Sequence, residues 1–343
     1  MKLFKRNLNH KPIIIAEVGQ NHQGDLKIAK NYIKVFSTLG ADIIKFQSRD
    51  NKNLFDNEFY NSLYINSNSF GKSYGQHREK LELSKSDLKT LVKECKKNKV
   101  IFMCTPFEEK SLNLICEIGV QVIKIASFDL GNLPFLKRIA MKKKPIVLSV
   151  GGGNDRQIEN SIKILKEYKS KIILLHCVSE YPCKFDRLDL EKIKKLKKKY
   201  PDLIIGSSDH FNGILSGPLA YLQGARVFEK HVTFNRSWKG SDHNFALEPD
   251  GFKKFVRDIY RTPLMLKLKP SSEIGREIIF NRLGKSLILN KNIKKGDRIT
   301  LDNLSGKIFS KQYIPVRDSY KIIGKIANAD IKKNVPINMS MLK

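Results

Sequence analysis

The chain is short of acid: 34 Asp and Glu stand against 64 Lys and Arg, a formal charge of +30 over 343 residues. Cysteine is scarce as well. The five cysteines, Cys95, Cys104, Cys116, Cys177 and Cys183, are odd in number and form no CxxC pair. That argues against a disulfide framework and against a structural zinc site. No apolar run approaches the roughly 18 residues a membrane span needs. The opening MKLFKRNLNHKP lacks the apolar core of a signal peptide. These absences point to a cytoplasmic protein with reduced thiols and no membrane partner. The surplus lysines lie along helical stretches such as EKIKKLKKKY (191–200) and LVKECKKNKV (91–100), which read as solvated faces. No nucleic acid is expected, although a positive field would draw in an anionic substrate.

What the chain does have is a regular alternation. Short, nearly continuous apolar runs recur at 12–18, 42–47, 100–104, 120–126, 144–150, 171–177, 203–208 and 225–231. They are the runs of strands buried on both faces. Between them lie amphipathic helical patterns, at 26–40, 83–98, 110–119, 156–169 and 188–200, several preceded by Asp or Ser as N-caps. About eight β–α units over roughly 260 residues predict a TIM (β/α)8 barrel, with a doubly wound sheet as the structural alternative. The long polar, aromatic segment at 53–80 would lie over the C-terminal face as a lid. Residues 1–268 form the expected barrel, 269–282 a linker and 283–343 a small mostly-β domain. In that domain IKKGD and IKKNV read as two related turns.

Nearly every expected strand ends in polar groups that an apolar core does not need. They include Glu17, Lys45, Gln47, Thr105, Lys124, Ser127, Asp129, Ser149, Ser179, Tyr181, Ser208, His210, Glu229 and His231, followed by Asp242. In a barrel these would ring one polar pocket. Lys45 and Lys124 sit inside apolar runs, where a lysine requires an anion. One reading is a salt bridge to Glu17 or Asp129; the other is a clamp for a phosphate or carboxylate, helped by Ser127, Ser149 and Ser208. Gly151, Gly152 and Gly153 would let backbone N–H groups approach that phosphate, or form only a turn. His210 and His231 would end neighbouring strands and could converge on Mn²⁺ or a similar divalent ion, or each could hydrogen-bond locally.

These residues fall in recognisable strings. AEVGQNHQGD, IIKFQ, CTPF, KIASFDL, LLHCVSEYP, SSDHFNG, EKHVTF and GSDHNFALEP resemble the sialic acid (N-acetylneuraminate) synthase family, in family order over about residues 12–250. GKSLILNKNIKKGDRIT and YKIIGK resemble its C-terminal antifreeze-like (SAF) domain. The resemblance implies a TIM barrel and a homodimer in which that domain caps the partner's site. It also implies condensation of phosphoenolpyruvate with N-acetylmannosamine, or, in a legionaminic or pseudaminic acid synthase, with a 2,4-diacetamido-6-deoxy hexose. By motif match, Lys45, Thr105, Lys124, Ser127, Asp129, Ser149 and Ser208 would hold phosphoenolpyruvate. His210 and His231 would bind the metal, Mn²⁺ with Mg²⁺ or Co²⁺ as alternatives. Glu17, Tyr181 and Asp242, with Gln47 nearby, would meet the sugar or the attacking water.

The sequence departs from the family's pattern in three places. The usual STGM reads SVGG at 149–152, and the fourth-strand acid is Asp129. The antifreeze-like KRPG arginine aligns with Phe309, so Arg317 is the candidate to supply its charge. A rival of another class is a non-catalytic carbohydrate- or nucleic-acid-binding protein on a retired barrel.

Overall fold

The computed structural model describes residues 7–343. All eight apolar runs become strands: β1 (Ile13–Gly19), β2 (Ile43–Ser48), β3 (Ile101–Pro106), β4 (Val122–Ile125), β5 (Ile146–Ser149), β6 (Ile172–His176), β7 (Ile204–Asp209) and β8 (Val227–His231). They pair in parallel in chain order. The sheet then closes, because β8 pairs with β1 in the register Ile13↔Val227 through Glu17↔His231. The TIM barrel stands and the open doubly wound sheet does not.

The helices between strands follow from capped amphipathic patterns. α1 (Leu26–Thr38) starts at Asp25, whose side chain accepts from the Lys27 and Ile28 N–H groups, and it buries Tyr32, Ile33 and Phe36 against the barrel. After β2 come three short helices, α2 (Asn51–Leu54), α3 (Asn57–Asn61) and α4 (Tyr74–Leu81), before α5 (Lys85–Lys97) resumes the outer ring. The ring continues with α6 (Glu109–Glu117), α7 (Leu133–Met141), α8 (Asp155–Glu167), α9 (Glu191–Lys199), α10 (Ser216–Leu222) and α11 (Pro249–Met265). Capping boxes at Ser84 and Asn154 fix the starts of α5 and α8.

Strand period sets the layering inside the barrel. Alternate residues of a strand face the same side, and Ile13, Ile15, Ile43, Met103, Val122, Val147, Ile173, Leu175 and Val227 pack together as a dry floor. The next inward positions up each strand are Glu17, Lys45, Thr105, Lys124, Ser149, Cys177, Ser208 and Glu229, and every one of them lines a single cavity. The barrel thus changes from apolar to polar within one inward step, two residues along each strand, at the C-terminal end where this fold places its sites.

Residues Met1–Leu266 make one compact unit and Lys267–Lys343 a second. The second holds a short helix, α12 (Ile278–Leu283), then β9 (Ser286–Leu289) antiparallel to β10 (Leu304–Lys307). Its own small core includes Leu287, Leu289, Ile293, Ile299, Ile331 and Ile337. The two related turns meet: Ile293, in the first, bridges Ile331, in the second.

Gly206 in β7 marks a point of close approach inside the barrel. A Cβ there would stand 2.3 Å from the Val227 carbonyl oxygen and 2.5 Å from a Leu175 methyl. Backbone cannot move aside as a side chain can, so Gly206→Ala is expected to cost about 2 kcal/mol or more. Urea unfolding checks this; a midpoint equal to wild type would contradict it.

Candidate active site

The cavity at the C-terminal mouth has a volume of about 540 Å³ and is lined by strand ends and by the segment between β2 and α5. At its base two carboxylates and two ammonium groups are buried together. Glu229 lies between the lysines: its Oε1 is 3.0 Å from Lys45 Nζ and 3.9 Å from Lys124 Nζ. Ser208 Oγ donates to the same oxygen at 2.9 Å. Lys45 also reaches Glu17 at 3.2 Å. Lys124 donates to Ser149 Oγ at 2.7 Å and to the Ile125 carbonyl at 3.1 Å. Neighbouring register produces this cluster, since Glu17 pairs with Lys45 and Ser208 with Glu229 across adjacent strands.

The two carboxyl groups are driven apart. Burial pushes Glu229 up, but Lys124, Lys45 and the Ser208 hydroxyl outweigh it and hold its pKa at about 2. For Glu17, burial dominates over Lys45, and the charge of Glu229 adds to it, so its pKa rises to about 7. Glu17 is therefore the carboxyl that holds its proton more readily, while Glu229 stays charged. Burial lowers Lys124, with Glu229 only partly opposing it. Burial also works against the charge of Lys45, but Glu17 and Glu229 prevail and raise its pKa.

Two imidazoles stand above this base. His210 and His231 have ring centroids 5.3 Å apart, and Tyr181 lies 3.9 Å from His210, centroid to centroid. His210 Nδ1 is 2.8 Å from the Val178 carbonyl and so carries the hydrogen, which leaves Nε2 with its lone pair. His231 Nδ1 is buried with no hydrogen-bond partner; the nearest carboxylate is Asp242, at 3.7 Å. Burial lowers the pKa of both, so both are neutral at pH 7. Two neutral imidazoles, one with a nitrogen that has no hydrogen-bond partner, are donors of the kind a divalent metal takes. Among the described residues no group of three or more His, Cys, Asp or Glu side chains is arranged to hold a metal.

Of the residues expected at the site, Glu17, Lys45, Gln47, Thr105, Lys124, Ser127, Ser149, Tyr181, Ser208, His210, Glu229, His231 and Asp242 line this one cavity. Ser179 sits behind the wall, with its hydroxyl 3.0 Å from that of Ser127. Asp129 is off the wall as well: it accepts from Asn132 Nδ2 at 3.0 Å, close to the start of α7, and makes no lysine pair. Of the two carboxylates expected to partner a buried lysine, Glu17 and Asp129, only Glu17 does so, and the other carboxylate present is Glu229. Gly151 and Gly153 serve packing, since a Cβ would meet Cys177 Sγ at 2.6 Å or a Leu130 methyl at 2.0 Å. Arg317 lies in the second unit, with its guanidinium over the Phe280 ring and bonded to the Gly275 carbonyl.

The cavity wall also holds Gln20, Arg49 and Arg78, which sequence reasoning passed over. Arg49 had a signal: it follows Gln47 by two residues, on the same side of the strand path. Arg78 had none, because it comes from the irregular segment expected as a lid. That segment does reach the cavity, through Leu54, Phe55, Tyr64, Tyr74, His77 and Arg78.

A (β/α)8 barrel with paired lysines beneath two neutral histidines defines an enzyme site for an anionic substrate and a polarised second group. Comparison with known proteins names the class. Residues 32–269 match the NeuB family. Human N-acetylneuraminate-9-phosphate synthase is 32% identical over 92% of this chain and 88% of its own. N,N'-diacetyllegionaminic acid synthase of Campylobacter jejuni is 36% identical over 94% of this chain and 98% of its own. The crystal structure of N-acetylneuraminic acid (sialic acid) synthetase from Leptospira borgpetersenii, in complex with citrate, superposes with a TM-score of 0.69 at 34% identity, covering 80% of this chain and 93% of that one. The chain belongs to the NeuB family and is a synthase, which sets aside the retired-barrel reading.

The opposed carboxyl groups predict a pH signature in stability. Glu17, raised from 4.5 to about 7, contributes stability that is fully present below pH 4.5 and lost as pH rises through about 7. Glu17→Gln is expected to remove that decline, worth about 3 kcal/mol. Unfolding free energies measured from pH 4.5 to 8 check it; parallel curves for the two proteins would contradict it.

Proposed function

We propose that this chain condenses phosphoenolpyruvate with an open-chain N-acetylated amino sugar, giving a nonulosonic acid and inorganic phosphate. The observation that carries the reading is the pairing of Lys45 and Lys124 on one carboxylate, directly below two neutral imidazoles, in one cavity. Phosphoenolpyruvate carries two anionic groups, and the lysines, with Ser127, Ser149, Ser208 and Thr105, offer charge and hydroxyl donors for both. Thr105 Oγ1 is buried with no partner in the protein, as a donor kept for a ligand would be.

In the reaction, C3 of phosphoenolpyruvate forms a bond to the aldehyde carbon of the sugar, and positive charge develops at C2. The aldehyde oxygen takes a proton, which Glu17 in its protonated form can supply. Water then adds at C2 and gives its proton back to Glu17. The tetrahedral species loses inorganic phosphate by C–O cleavage, leaving the 2-keto acid. A divalent cation held by His210 and His231, Mn²⁺ with Mg²⁺ or Co²⁺ as alternatives, would supply Lewis-acid polarisation of the aldehyde oxygen. Gln47 donates to Glu17 at 2.7 Å and fixes the carboxyl for these transfers. Tyr181 and Asp242, on the side of the histidines, are placed to meet the sugar or the water.

The relatives' names divide on the acceptor, one naming a phosphorylated product and another a diacetamido one. N-acetylmannosamine is the acceptor the sequence resemblance favours; a legionaminic or pseudaminic acid precursor is the second reading. The same proposal takes residues 283–343 as an antifreeze-like (SAF) domain that caps the partner's site in a homodimer, so gel filtration with light scattering should give twice the mass of one chain. It also places the protein in the cytoplasm. Five unpaired cysteines, four of them buried, support a reducing compartment. Among the described residues no helix is long and apolar enough to cross a membrane.

Phosphate release from phosphoenolpyruvate with Mn²⁺ and a panel of acceptor sugars tests the reaction. Lys124→Ala and His210→Ala are each expected to lose about 100-fold or more in kcat/KM. Chelation is expected to stop turnover and Mn²⁺ to restore it. Because Glu17 acts first as an acid, turnover falls as pH rises through about 7, and Glu17→Gln should lose that limb along with most of its rate. Turnover at the wild-type level in Lys124→Ala would rule the assignment out.

A further inference from the structure

The proposed chemistry leaves one part of the cavity unused. Arg49, at the end of the β2 path, and Arg78, on α4, both reach the wall near Gln47. The Arg49 side chain is only 4% exposed, and its guanidinium is 3.8 Å from the centroid of the Phe107 ring. Burial, with the Arg78 charge next, lowers its pKa to about 10. Two cations thus repel each other, one of them almost fully buried.

Carboxylates do not balance them. Glu82 pairs with Arg49 at 3.4 Å and accepts its backbone N–H at 3.0 Å. Among the described residues Arg78 makes no ion pair within 4.0 Å: its Nη1 donates to the neutral Gln20 amide at 2.7 Å, and its Nε is buried without a partner. The surrounding wall, Tyr64, Tyr74, His77 and Phe107, adds no negative charge. His77 itself is neutral, since burial and then Arg78 lower its pKa to about 4. Two guanidiniums against one carboxylate leave a surplus positive charge at the cavity wall, and the buried Arg78 Nε has no partner. Such a cradle needs an anion, and planar guanidinium pairs suit phosphate oxygens.

The position says which substrate carries that anion. Arg49 Nη2 donates to Gln47 Oε1 at 2.5 Å, and Gln47 Nε2 donates to Glu17 at 2.7 Å. The arginines are therefore one amide away from the acid that faces the aldehyde; Arg49 follows the strand that carries Lys45, while Lys124 and Ser149 stand on β4 and β5. If the lysines hold phosphoenolpyruvate, the second anion belongs to the acceptor. We infer that Arg49 and Arg78 form an anion subsite for the acceptor sugar, and that the preferred acceptor is a hexosamine bearing a terminal phosphomonoester. This rests on the condensation proposed above and specifies its substrate class. The phosphomonoester makes and breaks no bond; it anchors the far end of the open chain while the aldehyde reacts at the other.

Kinetics with N-acetylmannosamine and with its 6-phosphate test the subsite. Wild type should favour the phosphorylated sugar. Arg78→Gln should lower the ratio of the two kcat/KM values by about 10- to 100-fold, the worth of a charge-assisted hydrogen bond, with Arg78→Lys between them. A melting temperature close to wild type shows that the variant is folded. Two results would overturn the inference: an unchanged ratio in the folded variant, or a rise in KM for phosphoenolpyruvate in place of the change in ratio, which would give the arginines to the other substrate. Calorimetric titration of each sugar alone separates this from failure of the reaction. Tighter binding of the sugar phosphate, lost in Arg78→Gln, supports the subsite even where no inorganic phosphate is released; equal binding of both sugars, or equal binding of a sugar carboxylate, contradicts it.

Discussion

Two ammonium groups share one buried carboxylate, and most of the site's chemistry depends on that imbalance. Lys45 and Lys124 both lean on Glu229, which they keep ionised against its burial. A charge pair removed from water gains little net stability, because desolvation consumes most of the attraction. Two cations with one fully ionised carboxylate and one that tends to keep its proton are better explained by what they leave available than by what they hold together. The surplus charge lies under an open cavity, ready for a dianionic substrate. Glu17, next to Glu229 and denied an equal share of the lysines, becomes the group that keeps a proton near neutrality. One arrangement therefore provides both an anion clamp and a proton donor.

The scaffold makes this arrangement affordable by concentrating it in a single layer. Below it, isoleucine, valine, leucine and methionine fill the barrel and carry its packing. Above it, neutral histidines, Tyr181 and the short helices after β2 form the walls. A second buried pair, Lys230 with Asp209, faces away from the cavity. Asp209 also accepts from Ser216 and from the Phe211 N–H, so that pair is saturated within the protein. The contrast is useful: a structural pair has all its partners, whereas the cavity groups leave Thr105 Oγ1, His231 Nδ1 and one oxygen each of Glu17 and Glu229 without any.

Much of this was legible in the sequence, for a physical reason. A barrel strand must be apolar on both faces except where its inward residue reaches the cavity, so Lys45 in IIKFQ and Lys124 in VIKIA stood out. The same logic overreached at chain positions just past the strands. Asp129 and Ser179 are polar there because of local turns and helix starts. No strand period runs through those loops, so sequence alone cannot tell which way a side chain faces. The helix α4 was opaque for a related reason: within a polar, aromatic segment without periodicity, Arg78 resembles any solvated charge. The glycines at 151 and 153 suggested a phosphate loop, yet neighbouring side chains account for both.

The most direct measurement is a crystal structure of the protein with phosphoenolpyruvate bound. The expected result places its anionic groups within hydrogen-bond distance of Lys45 Nζ and Lys124 Nζ, with C3 turned toward His210 and His231. Phosphoenolpyruvate seated instead on Arg49 and Arg78, or bound with neither lysine in contact, would contradict the assignment of the lysine pair.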